Sequence, residues 1–238
     1  MPPSSLYDLA ILNDGPVHYM IPETGGWTSP AVGYTAVPNG DLAWLFPSGG
    51  QTCYVEYPST ATMSIPTTGV LTIEAWMRPD VLTFLDEDGT GYVNWLGKGT
   101  PGKHEYVMRM YGLNNTEGRE NRILGECYNP AGGFGIGSFF QDPVTAGQWI
   151  HAAFVVNTVS VSGAYPTGYT KIFKNGVFRD QDSLSDLAIV PVANDAPFRI
   201  GTRNFASFFE GGVGKVALYN YELTAAQLLA HYNLMTQD

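Results

Sequence analysis

Short runs that alternate apolar and polar residues, cut by glycine- and proline-rich breaks, make up most of the chain. A period of two places successive side chains on opposite faces of a strand. In Leu71–Met77 (LTIEAWM), Leu71, Ile73, Ala75 and Met77 point one way, and Thr72, Glu74 and Trp76 the other. In Glu105–Tyr111 (EYVMRMY), Tyr106, Met108 and Met110 share one face, and Glu105, Val107, Arg109 and Tyr111 the opposite one. Further strands are predicted at Ile123–Tyr128, Trp149–Asn157, Thr170–Lys174, Phe198–Gly201 and Gly212–Tyr219. Asn175-Gly176 between Lys174 and Val177 predicts a hairpin, because it supplies the two positive φ values of a type I′ turn. One segment, near Thr224–Leu234, reads as a helix: Thr224 and Gln227 form a capping box, and Leu228 and Tyr232 stack at i,i+4. Many short strands between turn signals predict an all-β sandwich or barrel. No second hydrophobic set, linker or internal repeat divides the chain, so residues 1–238 are expected to form one domain, with 1–30 an arm or clasp.

Composition narrows the function. The 238 residues carry 12 Lys and Arg against 22 Asp and Glu, a net charge of −10, and only 14% are charged where about 25% is usual. A hydrophobic content of 44% is enough for a core and excludes a disordered chain. The acidic balance argues against nucleic acid, whose backbone needs a basic stripe. No apolar run approaches the ~18 residues of a membrane span. Cys53 and Cys127 lie in no CxxC or Cys/His cluster, which argues against zinc. Two separate buried thiols are the expectation for them, with a single disulfide as the alternative. The N-terminal MPPSSLYDLAILNDG lacks the charged and long apolar regions of a secretory signal. Either the chain is used without Sec export, or Met1 stands where a signal was removed.

Five segments, in order, resemble the laminin-G-like, concanavalin A-like jelly-roll superfamily. They are GVLTIEAWMRP (69–79), WIHAAFVV (149–156), KIFKNGV (171–177), FRIG (198–201) and, most clearly, FEGGVGKVALYNYELTAAQLLAH (209–231). The segment YDLAILNDGPVHYMIPETG (7–25) is similar to the start of bacterial and phage members. The resemblance implies an all-β, two-sheet antiparallel jelly-roll sandwich with one short C-terminal helix. It also implies a choice among carbohydrate binders, adhesive modules, glycan hydrolases, lyases and phage virion proteins. Many members carry an acidic pair before the closing strand that helps hold a structural calcium. Here those positions are Gly214 and Lys215, and an ammonium works against a calcium site.

Most of the residue patterns that catalysis or a metal would need are missing from the sequence. No strand carries the paired carboxylates that glycoside hydrolysis needs. The densest acidic run, LDEDG (85–89), reads as a solvated turn. Asp86 and Asp88 could begin a calcium loop, but its twelfth position is Gly97 rather than a bidentate Glu. No cofactor is therefore expected. His104, Arg109 and Tyr111 suggest a lyase constellation, yet alternation puts His104 on the opposite face. His151 is expected to be a hydrogen-bonded histidine within a strand, and His231 a surface residue of the helix. Binding needs less. Trp76, Arg109, Tyr111, Glu126 and Tyr128, with Glu74 and Arg78, fall on non-core strand faces and would suit a groove for a polar ligand. A covering loop, or a core role for Trp76, is the alternative. Phe205, Phe208 and Phe209 form either an adhesive patch or a plug at one end of the sandwich.

The leading expectation is a non-enzymatic attachment protein on the surface of a bacteriophage virion, a capsid decoration or tail-associated component. Its partners would be other virion proteins, glycans or both, with a homo-oligomer possible and neither nucleic acid nor membrane engaged. A soluble carbohydrate-binding module is the second reading, and a glycan hydrolase or lyase the third.

Overall fold

The computed structural model describes residues 5–84, 89 and 91–237. Among these, fifteen strands form two sheets, and every pairing between named strands is antiparallel. The first sheet holds β1 (His18–Met20), β3 (Gly33–Ala36), β4 (Leu42–Phe46), β6 (Val70–Pro79), β11 (Ile150–Asn157), β12 (Tyr169–Lys174), β13 (Val177–Ser183) and β15 (Gly211–Tyr219). Its order is β13-β12-β11-β6-β15-β4-β3, and β1 also pairs with β15. The second sheet holds β2 (Trp27–Thr28), β5 (Val55–Tyr57), β7 (Tyr92–Thr100), β8 (Lys103–Tyr111), β9 (Ile123–Cys127), β10 (Ile136–Phe139) and β14 (Phe198–Ile200). Its order is β10-β9-β8-β7-β14-β5-β2. This is the two-sheet jelly-roll sandwich expected from the sequence.

The core between the sheets follows the alternation. Leu71, Ile73, Ala75 and Met77 of β6 meet Tyr106, Met108 and Met110 of β8 in one buried cluster. Cys53 and Cys127 are both free and buried in it. Asn175 and Gly176 have φ of 54° and 74°, the type I′ turn that joins β12 to β13. Gly125 of β9 is dictated by packing, since a Cβ there would lie 2.1 Å from the Phe154 ring.

Two helices lie on the outer face of the first sheet. α2 (Ala225–Thr236) begins with the predicted capping box of Thr224 and Gln227. α1 (Leu6–Asn13), capped by Ser5, was not anticipated. Its sequence LYDLAILN is apolar almost all round, so no helical stripe stands out. Only Tyr7, Asp8 and Ile11 are buried, while Leu6, Leu9 and Leu12 face solvent.

The helices cover charged as well as apolar residues. Glu74 points outward from β6, is fully buried, and accepts from His151 Nε2 at 2.9 Å, His231 Nδ1 at 3.1 Å and the Tyr219 hydroxyl at 2.6 Å. His231 is therefore not a surface residue. Its other ring nitrogen lies 3.2 Å from Asp14, just beyond α1. Lys215 is also buried, 2.7 Å from Asp8 of α1 and 2.8 Å from Asp41. The lysine that departs from the family's acidic pair thus fixes the first helix.

Burial raises the Glu74 pKa, but the bonds from His151 and His231 outweigh it and bring the carboxyl down to about 2. Burial lowers the His231 pKa, but the bond to Glu74 and the charges of Glu74 and Asp14 outweigh it and raise the pKa above 6.5. The Glu74 contribution is present above its unfolded value of 4.5 and lost as pH falls toward 2. The His231 contribution is present below 6.5 and lost as pH rises through its raised value. Stability from this cluster should therefore be greatest between pH 4.5 and 6.5. Glu74→Gln should cost about 3 kcal/mol and flatten the dependence, as read from urea unfolding across pH.

Candidate functional site

The outer face of the second sheet is built differently. Register places Tyr111, Arg109 and Val107 of β8, Tyr92, Asn94 and Gly97 of β7, and Leu124 and Glu126 of β9 on this face. Tyr92, Tyr111 and Leu124 pack together with Phe139 beside them. A cavity of about 510 Å³ opens here, lined by Tyr92, Arg109, Tyr111, Glu117, Arg119, Glu126 and the turn carrying Phe134.

Its charged groups are held in place. The Arg109 guanidinium sits 3.7 Å above the Tyr92 ring and pairs with Glu126. Glu126 also accepts from the Tyr128 hydroxyl at 2.7 Å and the Gly135 N–H at 3.1 Å. Arg119 donates to the Tyr111 hydroxyl at 3.1 Å and lies 4.2 Å above the Phe139 ring. The Tyr92 hydroxyl donates to Glu117. Burial raises the pKa of Tyr92, with the Glu117 bond adding to it. Burial raises that of Tyr111 too, against the bond from Arg119. Both phenols therefore stay protonated. Two guanidinium groups face two carboxylates, so the lining is balanced in charge.

Of the residues expected in the groove, Arg109, Tyr111 and Glu126 line this cavity, and Tyr128 lies behind it, holding Glu126. Trp76 does not join them. It belongs to the other sheet, buried under α2 and stacked 5.8 Å from Tyr232. Glu74 is sealed there too, whereas Arg78, on that same sheet, pairs with Asp80. The error lies in sheet membership: alternation separates inner from outer faces but does not say which sheet a strand joins.

His104 also departs from simple alternation. Lys98 pairs with Tyr106 and Gly99 with His104, leaving Glu105 as an extra residue in β8. Glu105 turns inward to Lys98 at 3.2 Å and to the Ile65 N–H at 2.7 Å. The bulge returns His104 to the outer face, 6.0 Å from the Tyr128 ring. It stands past Tyr128, outside the cavity lining.

The lining residues missed include Tyr92, Glu117, Arg119 and Phe134. Phe134 had a visible signal, an aromatic among glycines in AGGFGIG, and it is 88% exposed.

The phenylalanine cluster divides. Phe209 is core, stacked 5.9 Å from Phe84, and Phe208 is buried. Neither belongs to an adhesive patch. Phe205 alone is exposed, on a loop of the second sheet's outer face.

Asp86 and Asp88 lie outside the described residues. Among the described residues, no group of three His, Cys, Asp or Glu side chains could hold a metal. No helix among them is long and apolar enough to cross a membrane. A second cavity, about 530 Å³, lies beside the start of α2. Its carboxylate, Glu222, is engaged by Asn157, Tyr169 and Lys171 at 2.9, 2.7 and 2.6 Å.

The molecule is a jelly-roll sandwich with one face closed by helices and a polar, aromatic cavity on the other. The family model for the concanavalin A-like lectin/glucanases superfamily matches residues 48–229, and the chain belongs to that superfamily. No curated protein matches the sequence. Among solved structures, the fold is similar to domain 4 of a GH43 extracellular arabinanase from Geobacillus stearothermophilus, in complex with arabinotriose. That match has a TM-score of 0.59 and 17% identity, covering 86% of this chain and 82% of that one. The binding domain of botulinum neurotoxin DC, in complex with rat synaptotagmin II, is similar at TM-score 0.67 and 10% identity, covering 94% and 52%. The receptor binding domain of botulinum neurotoxin type G is similar at 0.58 and 11%, covering 88% and 46%. The chain thus spans about half of each toxin domain. At these identities the likeness is one of fold.

The division of the phenylalanines is open to direct test. Phe209→Ala should destabilise the protein by about 3–5 kcal/mol, as for a large core aromatic. Phe205→Ala should stay within about 1 kcal/mol, both read from urea unfolding midpoints.

Proposed function

We propose that the chain is a non-enzymatic, glycan-binding attachment domain and that the cavity at Arg109, Arg119, Glu117, Glu126 and Phe134 takes a neutral sugar. The observation that carries this reading is the fixed, charge-balanced set of planar polar groups beside aromatic rings. Guanidinium and carboxylate groups hydrogen-bond vicinal hydroxyls, and the exposed Phe134 ring offers a face to the apolar side of a pyranose or furanose. Balanced charge leaves no net attraction for an acidic ligand. The groups are tied to one another before any ligand arrives, which lowers the cost of ordering them. The fold neighbour solved with arabinotriose supports the reading at the level of fold alone. The virion surface expected from the sequence, and partners among virion proteins, stay part of this proposal on the family resemblance.

Catalysis is disfavoured by the state of the carboxylates. Hydrolysis needs one carboxyl free to give a proton and a second placed across the bond. Glu126 already accepts from three donors, and Glu74 is sealed beneath the helices.

A neutral-glycan array followed by titration calorimetry tests the proposal. Arg119→Ala and Phe134→Ala should each weaken binding about tenfold or more, the loss expected of a charged hydrogen bond or a stacking face, with unfolding midpoints nearly unchanged. Binding unaffected by both changes would remove the cavity as the site. Release of reducing sugar by the wild type, abolished by Glu126→Gln, would make the protein an enzyme.

A further inference from the structure

We infer that the same sheet face carries a second sugar subsite at Trp27, Tyr54 and Phe205, so that the ligand is a linear neutral oligosaccharide lying across the strands. The inference rests on the cavity being a sugar site. Trp27 of β2 is level with Glu56 of β5, and Glu56 with Arg199 of β14, so Trp27 shares the outer face that Arg109 occupies on β8. Its ring is 4.9 Å from Tyr54, which is 5.0 Å from Phe205. Trp27 is 54% and Phe205 46% exposed. Two large rings half in water, braced by a third, make a platform of the kind that stacks on the apolar face of a sugar.

Phe205 is held for this exposure. Its φ of 65° lies in the left-handed region, which a bulky residue enters only at a cost and which tends to mark functional sites. Its N–H donates to Thr202 Oγ1 at 3.2 Å, and the Arg199 guanidinium lies 4.3 Å from its ring. Arg199 is pinned by Glu56 at 2.7 Å.

The platform is continuous with the cavity. The loop that carries Phe205 also carries Arg203, whose guanidinium lies 4.9 Å from the Tyr128 ring, and Tyr128 bonds Glu126 of the cavity. Between the two ends, buried Arg203 Nε and Nη1 and both amide atoms of buried Asn94 bond no polar atom among the described residues. From β9 to β2 there are five strand steps, roughly 24 Å. A monosaccharide fills one end; only a longer chain reaches both.

Titration calorimetry with arabino-, xylo- and cello-oligosaccharide ladders, disaccharide to hexasaccharide, tests this. For the ladder that binds, the wild-type Kd should fall at least tenfold between the shortest and longest members. Trp27→Ala and Phe205→Ala should abolish that gain and leave disaccharide binding unchanged, with unfolding midpoints confirming that both variants fold. Equal length dependence in wild type and both variants overturns the second subsite while leaving the cavity reading intact, provided Arg119→Ala still weakens the disaccharide. A wild type that binds no ladder, or an Arg119→Ala variant that binds every length normally, overturns the cavity reading and this inference with it.

Discussion

A carboxylate buried in the middle of a sheet face has to be paired, and Glu74 determines much of what surrounds it. An ionised group in that position costs several kcal/mol unless donors meet it. Three side chains do: His151 from the neighbouring strand, Tyr219 from β15, and His231 from α2. The last of these makes the C-terminal helix part of the pairing. Because His231 also faces Asp14, the segment after α1 is drawn in as well. Lys215, buried against Asp8 and Asp41, repeats the arrangement one strand away. Ionic contacts thus register both helices on the first sheet, and apolar contacts of Trp76, Tyr7, Ile11 and Leu228 complete the seal. With that face closed, the outer face of the second sheet is the one that carries the open, polar cavity.

That face owes its chemistry to irregularities in β7 and β8. Strict alternation would send Glu105 outward and His104 inward. The extra residue at Glu105 turns the carboxylate to Lys98 in the interior and re-aims His104. A second register shift lies between Asn94 and Leu96, so Trp95 joins the core while Asn94 stays opposite Arg109. Tyr92, Arg109, Tyr111 and Glu126 sit on strands, whereas Glu117, Arg119 and Phe134 come from the loops beside them. Strand residues brace both arginines: Arg109 is held by Tyr92 and Glu126, and Arg119 by Tyr111 and Phe139. Sites built on rigid elements hold their geometry better than sites on loops alone.

Much of this was legible in the sequence, and the failures share a cause. Period-two alternation identified the core faces of β6 and β8, Asn175-Gly176 identified a hairpin, and Thr224 with Gln227 a helix start, because each is a local rule. Arg109, Tyr111 and Glu126 were placed together on one outer face for the same reason: they oppose core residues on their own strands. Trp76 was misplaced because sheet membership is a long-range property. His104 was misplaced because one inserted residue reverses every side chain beyond it. α1 was missed because its exposed leucines hide the buried stripe. His231 was taken for a surface residue because its carboxylate partners lie 157 and 217 positions earlier in the chain.

The sparse charge now has a structural meaning. Ten of the twelve lysines and arginines form ion pairs with carboxylates among the described residues, the exceptions being Arg122 and Arg203. With 22 acidic residues against 12 basic ones, carboxylates are plentiful enough to meet nearly every cation locally. The pairs do positional work instead: Lys215 places a helix, Arg109 walls a cavity, Arg199 braces a ring. Arg203 stands apart, because it spends its guanidinium on the Tyr128 ring and keeps buried N–H groups that no carboxylate among the described residues meets. Those nitrogens are sealed from solvent, so Arg203 carries the cost of burying donors that the described part of the fold leaves unmet, on the face not closed by helices.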